Sequence, residues 1–187
     1  MEDHPLRHFD VQSFIHTLVT QARVKQLFSY PWAELADSVD KELEVKAKKT
    51  LNTSSRPEYH KILYAWRIKR GNCRGAAQAA FDRLEKLRQE TKGSGPDPRD
   101  ERVVDAYLLL INAMACIGEK DAWVLYEPVA EKKGLINGTK GEQREGKRRL
   151  VTLDDVRREY QEELDRRAAL EQGRFGFVDE GVEMDVL

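Results

Sequence analysis

Cysteine is scarce in this chain: it has only Cys73 and Cys116. Neither has a second cysteine nearby, so no disulfide framework or paired-thiol zinc spacing is present, and a reducing compartment is the natural setting. Both fall inside helical patterns and read as structural thiols. Long apolar runs are also missing. No segment is predicted to span a bilayer, and the first residues are too polar for a signal peptide. The chain therefore reads as a soluble protein of the cytosol or nucleus, with no insertion into a membrane. Aromatics make up 8% of residues and there are six prolines, too few short Val/Thr/Tyr runs for a β-sandwich. The formal net charge is −1, which gives no overall attraction to nucleic acid or lipid.

Catalytic patterns are lacking too. His4 and His8 are one helical turn apart, a spacing metals use, but no third or fourth ligand lies near them. His16 and His60 are isolated and read as partly buried polar residues. Neither cysteine has a partner that would make it a nucleophile. Gly71 and Gly75 lack the preceding strand and the following Lys-Ser/Thr of a phosphate loop. Asp154, Asp155, Glu159, Glu162 and Glu163 are interleaved with arginines and read as a solvated helix face. No enzyme activity, cofactor, metal or small-molecule substrate is expected.

What is present is helical periodicity. Tyr59, Ile62, Leu63 and Trp66 form one stripe, and Gly71-Asn72 marks a turn. Ala76, Ala77, Ala80, Phe81, Leu84 and Leu87 form a second stripe, so large residues on one helix are predicted to face small ones on the next. Upstream, Asp10 reads as an N-cap for a helix carrying Val11, Phe14, Ile15, Leu18 and Val19. Pro31 opens another helix with Trp32, Leu35, Ala36, Val39 and Leu43. Downstream, Asp97-Pro98-Arg99-Asp100 predicts the start of a helix that is apolar all round from Val103 to Ile117. Ala122, Trp123, Leu125 and Tyr126 form a short amphipathic piece. Thr152-Leu153-Asp154-Asp155 is a capping signature, and the last helix carries Leu153, Val156, Tyr160, Leu164 and Ala168.

The predicted fold is all-α, an irregular stack of antiparallel helices resembling an α-solenoid, without a convincing strand. Residues 1–173 read as one domain and 174–187 as a C-terminal tail with alternating apolar and acidic residues. A basic insertion lies at about 131–149. It has a surplus of Lys and Arg but no aromatic for base stacking, so nucleic-acid binding is not expected. Within it, Asn137-Gly138-Thr139 reads as a turn.

The string Pro57-Glu58-Tyr59-His60-Lys61-Ile62-Leu63-Tyr64-Ala65-Trp66 resembles a known family. So do Gly71-Asn72, Ala76-Ala77, Ala106-Tyr107-Leu108 through Ala113, and Asp121-Ala122-Trp123-Val124. The run Leu153 to Tyr160 and the start at Asp10-Val11-Gln12-Ser13-Phe14-Ile15 fit as well. The family is the large scaffold nucleoporin of the Y-shaped nuclear pore subcomplex, and the resemblance is to its C-terminal helical domain, in a fungal member. It implies a structural role at the nuclear pore in the nuclear envelope. The implied partners are other scaffold nucleoporins, two helical subunits at the hub of the Y, and the implied process is nucleocytoplasmic transport and mRNA export. Val156, Tyr160 and Leu164 of the last helix, with Phe175 and Phe177 of the tail, are the expected docking residues. Two other readings compete. One is a tetratricopeptide-like adaptor for extended peptides, against which stands the absence of a clean repeat period. The other is an RNA-binding helical protein using the basic insertion.

Overall fold

The turn at Gly71-Asn72 sets the geometry of the chain's central hairpin. Gly71 has φ +73°, a conformation open to glycine without steric cost. The Asn72 side chain then accepts the Gly75 N–H at 2.9 Å and starts the next helix. The two helices it joins are α4 (Tyr59–Lys69) and α5 (Cys73–Ser94).

The computed structural model describes residues 5–50, 52–94, 100–126 and 148–172. Before the hairpin come α1 (Pro5–Thr20), α2 (Val24–Ser29), a 3-10 turn (Ala33–Leu35) and α3 (Ala36–Lys49). After it come α6 (Arg102–Ala115), a second 3-10 turn (Glu119–Asp121) and α7 (Leu153–Glu171). The helix stack is as the periodicity predicts. One part differs. Trp123–Tyr126 and Arg149–Thr152 are strands, β1 and β2, paired antiparallel with Val124 opposite Val151 and Leu125 opposite Leu150. Four residues are too short a window to separate helical from strand spacing, and Trp-Val-Leu-Tyr is rich in strand formers.

Helix starts also shift. The first helix begins at Pro5 rather than beside Asp10. α6 begins at Arg102, where Asp100 accepts the Arg102 N–H at 3.0 Å; Asp97 to Arg99 lie outside the described residues. α6 is amphipathic in place: Val103, Ala106, Tyr107, Leu110, Ala113 and Met114 are buried, while Leu108 is exposed. Cys116, at the end of that helix, is exposed rather than buried.

Two cores lie on either side of α5. One gathers Ile15, Leu27, Trp32, Val39, Leu43, Leu63 and Trp66 from α1 to α4, with Ala79 from α5. The other gathers Ala76, Ala77, Ala80, Phe81, Leu84 and Leu87 of α5 with α6, both strands and Val156 of α7. The alanine-rich stripe therefore faces mainly α6. Ala79, outside the predicted stripe, is the alanine that meets the Trp66 side. A helix with two buried faces needs small residues on both, which is why four alanines of α5 are buried.

Candidate docking surface

α7 begins on a capping box. The Thr152 hydroxyl accepts the Asp155 N–H at 3.3 Å, and the Asp155 carboxylate accepts the Thr152 N–H at 3.1 Å. This satisfies two backbone donors at the helix start and fixes the exit from β2. The inward stripe of α7 is Val156, Tyr160, Glu163 and Arg167, spaced as one helix face. Val156 is 1% exposed in the chain's own core. Tyr160 is half-buried, its ring 5.6 Å from that of Tyr107. The inward face then becomes ionic. Glu163 is buried and accepts from Arg167 Nε at 2.9 Å and from Arg166. Arg167 also donates to the Asp100 carbonyl at 2.5 Å, which ties α7 to the start of α6.

This rearranges the predicted docking residues. Val156 is a core residue and Tyr160 a core-edge residue, because a single apolar stripe buries itself against the nearest core. Leu164 is half-buried at the margin of the face. Phe175 and Phe177, with the whole tail, lie outside the described residues. So does the basic insertion, apart from Arg148 and Arg149. The opposite side of α7 is charged, with Arg157 paired to Asp154 and Arg158 to Asp155, as expected for a solvated face.

A half-buried ionic tie next to it has no counterpart in the sequence reading. Arg88 of α5 donates to Glu159 of α7 at 2.6 Å, to Glu85 at 2.8 Å and to the Tyr107 hydroxyl of α6. Burial disfavours its charge, but the Glu159 and Tyr107 interactions more than offset this and hold its pKa above the usual value. Arg67 makes a similar tie on the other side of α5. It pairs with Asp40 and Glu44 of α3 at 2.6 Å each and donates to the Gly75 carbonyl at 3.0 Å. The shallow hollow beside it is lined by Asp37, Asp40, Lys41, Arg70 and Asn72.

A second apolar surface lies at the α1–α2 end. Phe14 is 41% and Tyr30 50% exposed. Their rings are 5.5 Å apart, and Tyr30 is 4.8 Å from the buried Trp32. The helical spacing places Phe14 in the α1 stripe; in the fold it lies one step outside the buried set Val11, Ile15, Leu18 and Val19. The aromatic doublet around Pro31 is the sequence signal for this patch. Among the described residues no group of three or more His, Cys, Asp or Glu could hold a metal ion. No described helix is long and apolar enough to cross a membrane.

A family model described as NUP160/120 middle TPR matches residues 2–115, the span from α1 through α6. Nucleoporin NUP120 of Chaetomium thermophilum is 26% identical over 265 aligned residues, covering 99% of this chain and 21% of that protein. Nucleoporin nup120 of Schizosaccharomyces pombe is 28% identical over 160 residues, covering 86% of this chain and 14% of that protein. The chain thus spans about a fifth or less of the length of these relatives.

Proposed function

Since the chain belongs to the NUP160/120 middle TPR family, we propose that it is a structural, non-catalytic module of a Y-complex scaffold nucleoporin, resident at the nuclear pore in the nuclear envelope. Its work there is to hold other scaffold nucleoporins in place, two helical subunits among them, and so to support nucleocytoplasmic transport and mRNA export. The observation that supports this best is the family match over the whole run α1 to α6. The two-sided packing of α5 agrees with it, since a layer buried on both faces suits a stack that transmits position. A free peptide-binding adaptor is not favoured by these matches.

Docking falls to Leu164 with Phe175 and Phe177, while Val156 and Tyr160 keep α7 seated on its own core. The test is co-purification of the tagged protein with Y-complex subunits from fungal cells. Leu164→Asp combined with Phe175→Ala and Phe177→Ala should lower recovery about tenfold, the scale of losing one anchor residue. Wild-type recovery would remove those residues from the interface. A loss confined to Phe14→Ala/Tyr30→Ala would move docking to the α1–α2 patch. A parent protein that is absent from the nuclear rim and recovers no Y-complex subunit would end the scaffold reading.

A further inference from the structure

The chain's two cysteines are far apart in sequence, but the fold carries both to one end of one helix seam. Arg88, late in α5, donates to the Tyr107 hydroxyl early in α6. Arg74, at the start of α5, donates to the Asp121 carbonyl beyond the end of α6 at 2.8 Å. The two helices therefore run antiparallel. Small residues build the seam between them: Ala76, Ala77 and Ala80 of α5 and Ala106 and Ala113 of α6 are at most 3% exposed, all in one core. Cys73 continues the α5 side, one helical turn before Ala76 and Ala77. Cys116 continues the α6 side, one turn after Ala113. Its backbone is still helical, with φ −79° and ψ −6°, and its N–H donates to the Ala113 carbonyl at 3.3 Å. In an antiparallel pair these two extensions lie side by side. Tyr64 of α4 marks the place, since it packs against the same core. Its hydroxyl ionises less readily than an ordinary phenol, first because burial disfavours the phenolate and then because charge at Cys116 and at Cys73 opposes it. One hydroxyl thus lies within electrostatic reach of both thiols.

We infer that Cys73 and Cys116 are a dithiol–disulfide pair, a modification site at which oxidised glutathione staples the start of α5 to the end of α6. This inference does not depend on the scaffold reading. The seam has the right width for the bridge. Helices packed through alanine have axes about 8–10 Å apart, and two helix radii of about 2.3 Å leave about 3–5 Å between directly facing Cα atoms. A disulfide spans Cα atoms roughly 4–7 Å apart, so positions slightly off the facing line suit it. The chemistry is thiol–disulfide exchange. One protein thiolate attacks a sulfur of glutathione disulfide, and one glutathione leaves as its thiolate. The second protein thiolate attacks the protein sulfur of that mixed disulfide, the Cys73–Cys116 bond forms and the second glutathione leaves. Two protein thiols are oxidised, one glutathione disulfide is reduced to two thiols, and the two protons pass to the departing glutathiones. In a reducing compartment the pair rests as free thiols, the state both hold here. The staple therefore answers a shift in redox poise rather than holding the fold. It would tighten the lead-in to β1, whose Leu125 accepts from and donates to the Gln78 side-chain amide of α5, both at 3.0 Å.

Equilibration of the folded whole chain in glutathione buffers of falling reduced-to-oxidised ratio tests this. Each sample is quenched by alkylation and read by intact mass and by peptide mapping. The oxidised protein should be lighter by two hydrogens, carry no glutathione and yield a peptide that joins Cys73 to Cys116. Its Tm should lie about 5–15 °C above that of the reduced form. Cys73→Ser and Cys116→Ser should each stop at a mixed disulfide with one glutathione and show no such rise. A parent chain that ends with two bound glutathiones and no cross-link overturns the inference, and this reading needs no variant to fold. A cross-link that forms only in denaturant, or between two chains on a non-reducing gel, overturns it as well. So does a cross-link that fails to raise the Tm, because the bridged positions are then not neighbours in the fold.

Discussion

His60 is a buried residue whose pKa is pushed down to about 4, first by burial and then by the nearby cations Lys86 and Arg83. Its usual value is 6.5. The folded state therefore excludes a proton that the unfolded chain accepts, and stability falls as pH drops through 6.5. The loss levels off near pH 4, where folded His60 also protonates. The slope is about 1.4 kcal/mol per pH unit at its steepest. Comparing denaturant unfolding of the parent and His60→Gln between pH 7 and 4 should show this slope in the parent alone. Equal slopes would mean that His60 is protonated in the fold. At this scale the sequence reads well for some residues and poorly for others. His60 as a buried polar residue, and Trp66 and Leu63 as core, follow from periodicity. Buried Arg67 and Glu163 do not, because a charged residue inside a helix is solvated by default and only tertiary pairing makes burial tolerable. Val156 illustrates the reverse case: an apolar stripe cannot say which neighbour will cover it.

At the scale of elements, the end of α3 shows how one helix completes another. Lys86 of α5 donates to the carbonyls of Ala47, Lys48 and Thr50 at 2.9, 3.0 and 2.9 Å. The Ala47 carbonyl also accepts the Thr50 N–H at 3.2 Å; all three carbonyls lie at the helix end, where a cation also meets the negative end of the helix dipole. Burial lowers the Lys86 pKa. Lys86→Ala should destabilise by about 1–2 kcal/mol, measured by urea unfolding. Lys86→Met keeps the stem but not the donors, so a similar loss assigns the effect to the cap; full recovery by Met would assign it to packing. Element boundaries were legible where caps are local. Thr152 to Asp155 and Gly71-Asn72 lie where their residue types predict. The ribbon was not legible, because its two strands are far apart in sequence and each is too short to show a period. Gln78 holds β1 through a contact that no local pattern encodes.

At the scale of the whole molecule, two cores share one helix. Val39 lies in one core and Val156 in the other, both almost fully buried. Val39→Ala and Val156→Ala should each destabilise, and their effects should add to within about 0.5 kcal/mol, as for sites without shared partners. A larger coupling in equilibrium unfolding would show that α5 transmits strain between its faces. The helical class was readable from the sequence because every stretch agreed on it. The face that meets a partner was not, since layers of a helical stack bury similar faces.

The register of the ribbon also governs how the chain tolerates growth. Tyr126 and Arg149 are direct partners, so the two ends of the stretch between them lie at neighbouring points. Each doubling of a flexible connection between two such points costs only about 0.6 kcal/mol in closure entropy. Its length is thus nearly free to drift over evolutionary time, and the 265-position alignment with the Chaetomium relative, longer than this 187-residue chain, shows that length does vary within the matched region. For an engineer, the same doorway is a place to splice a reporter domain while the helices on either side keep their seats.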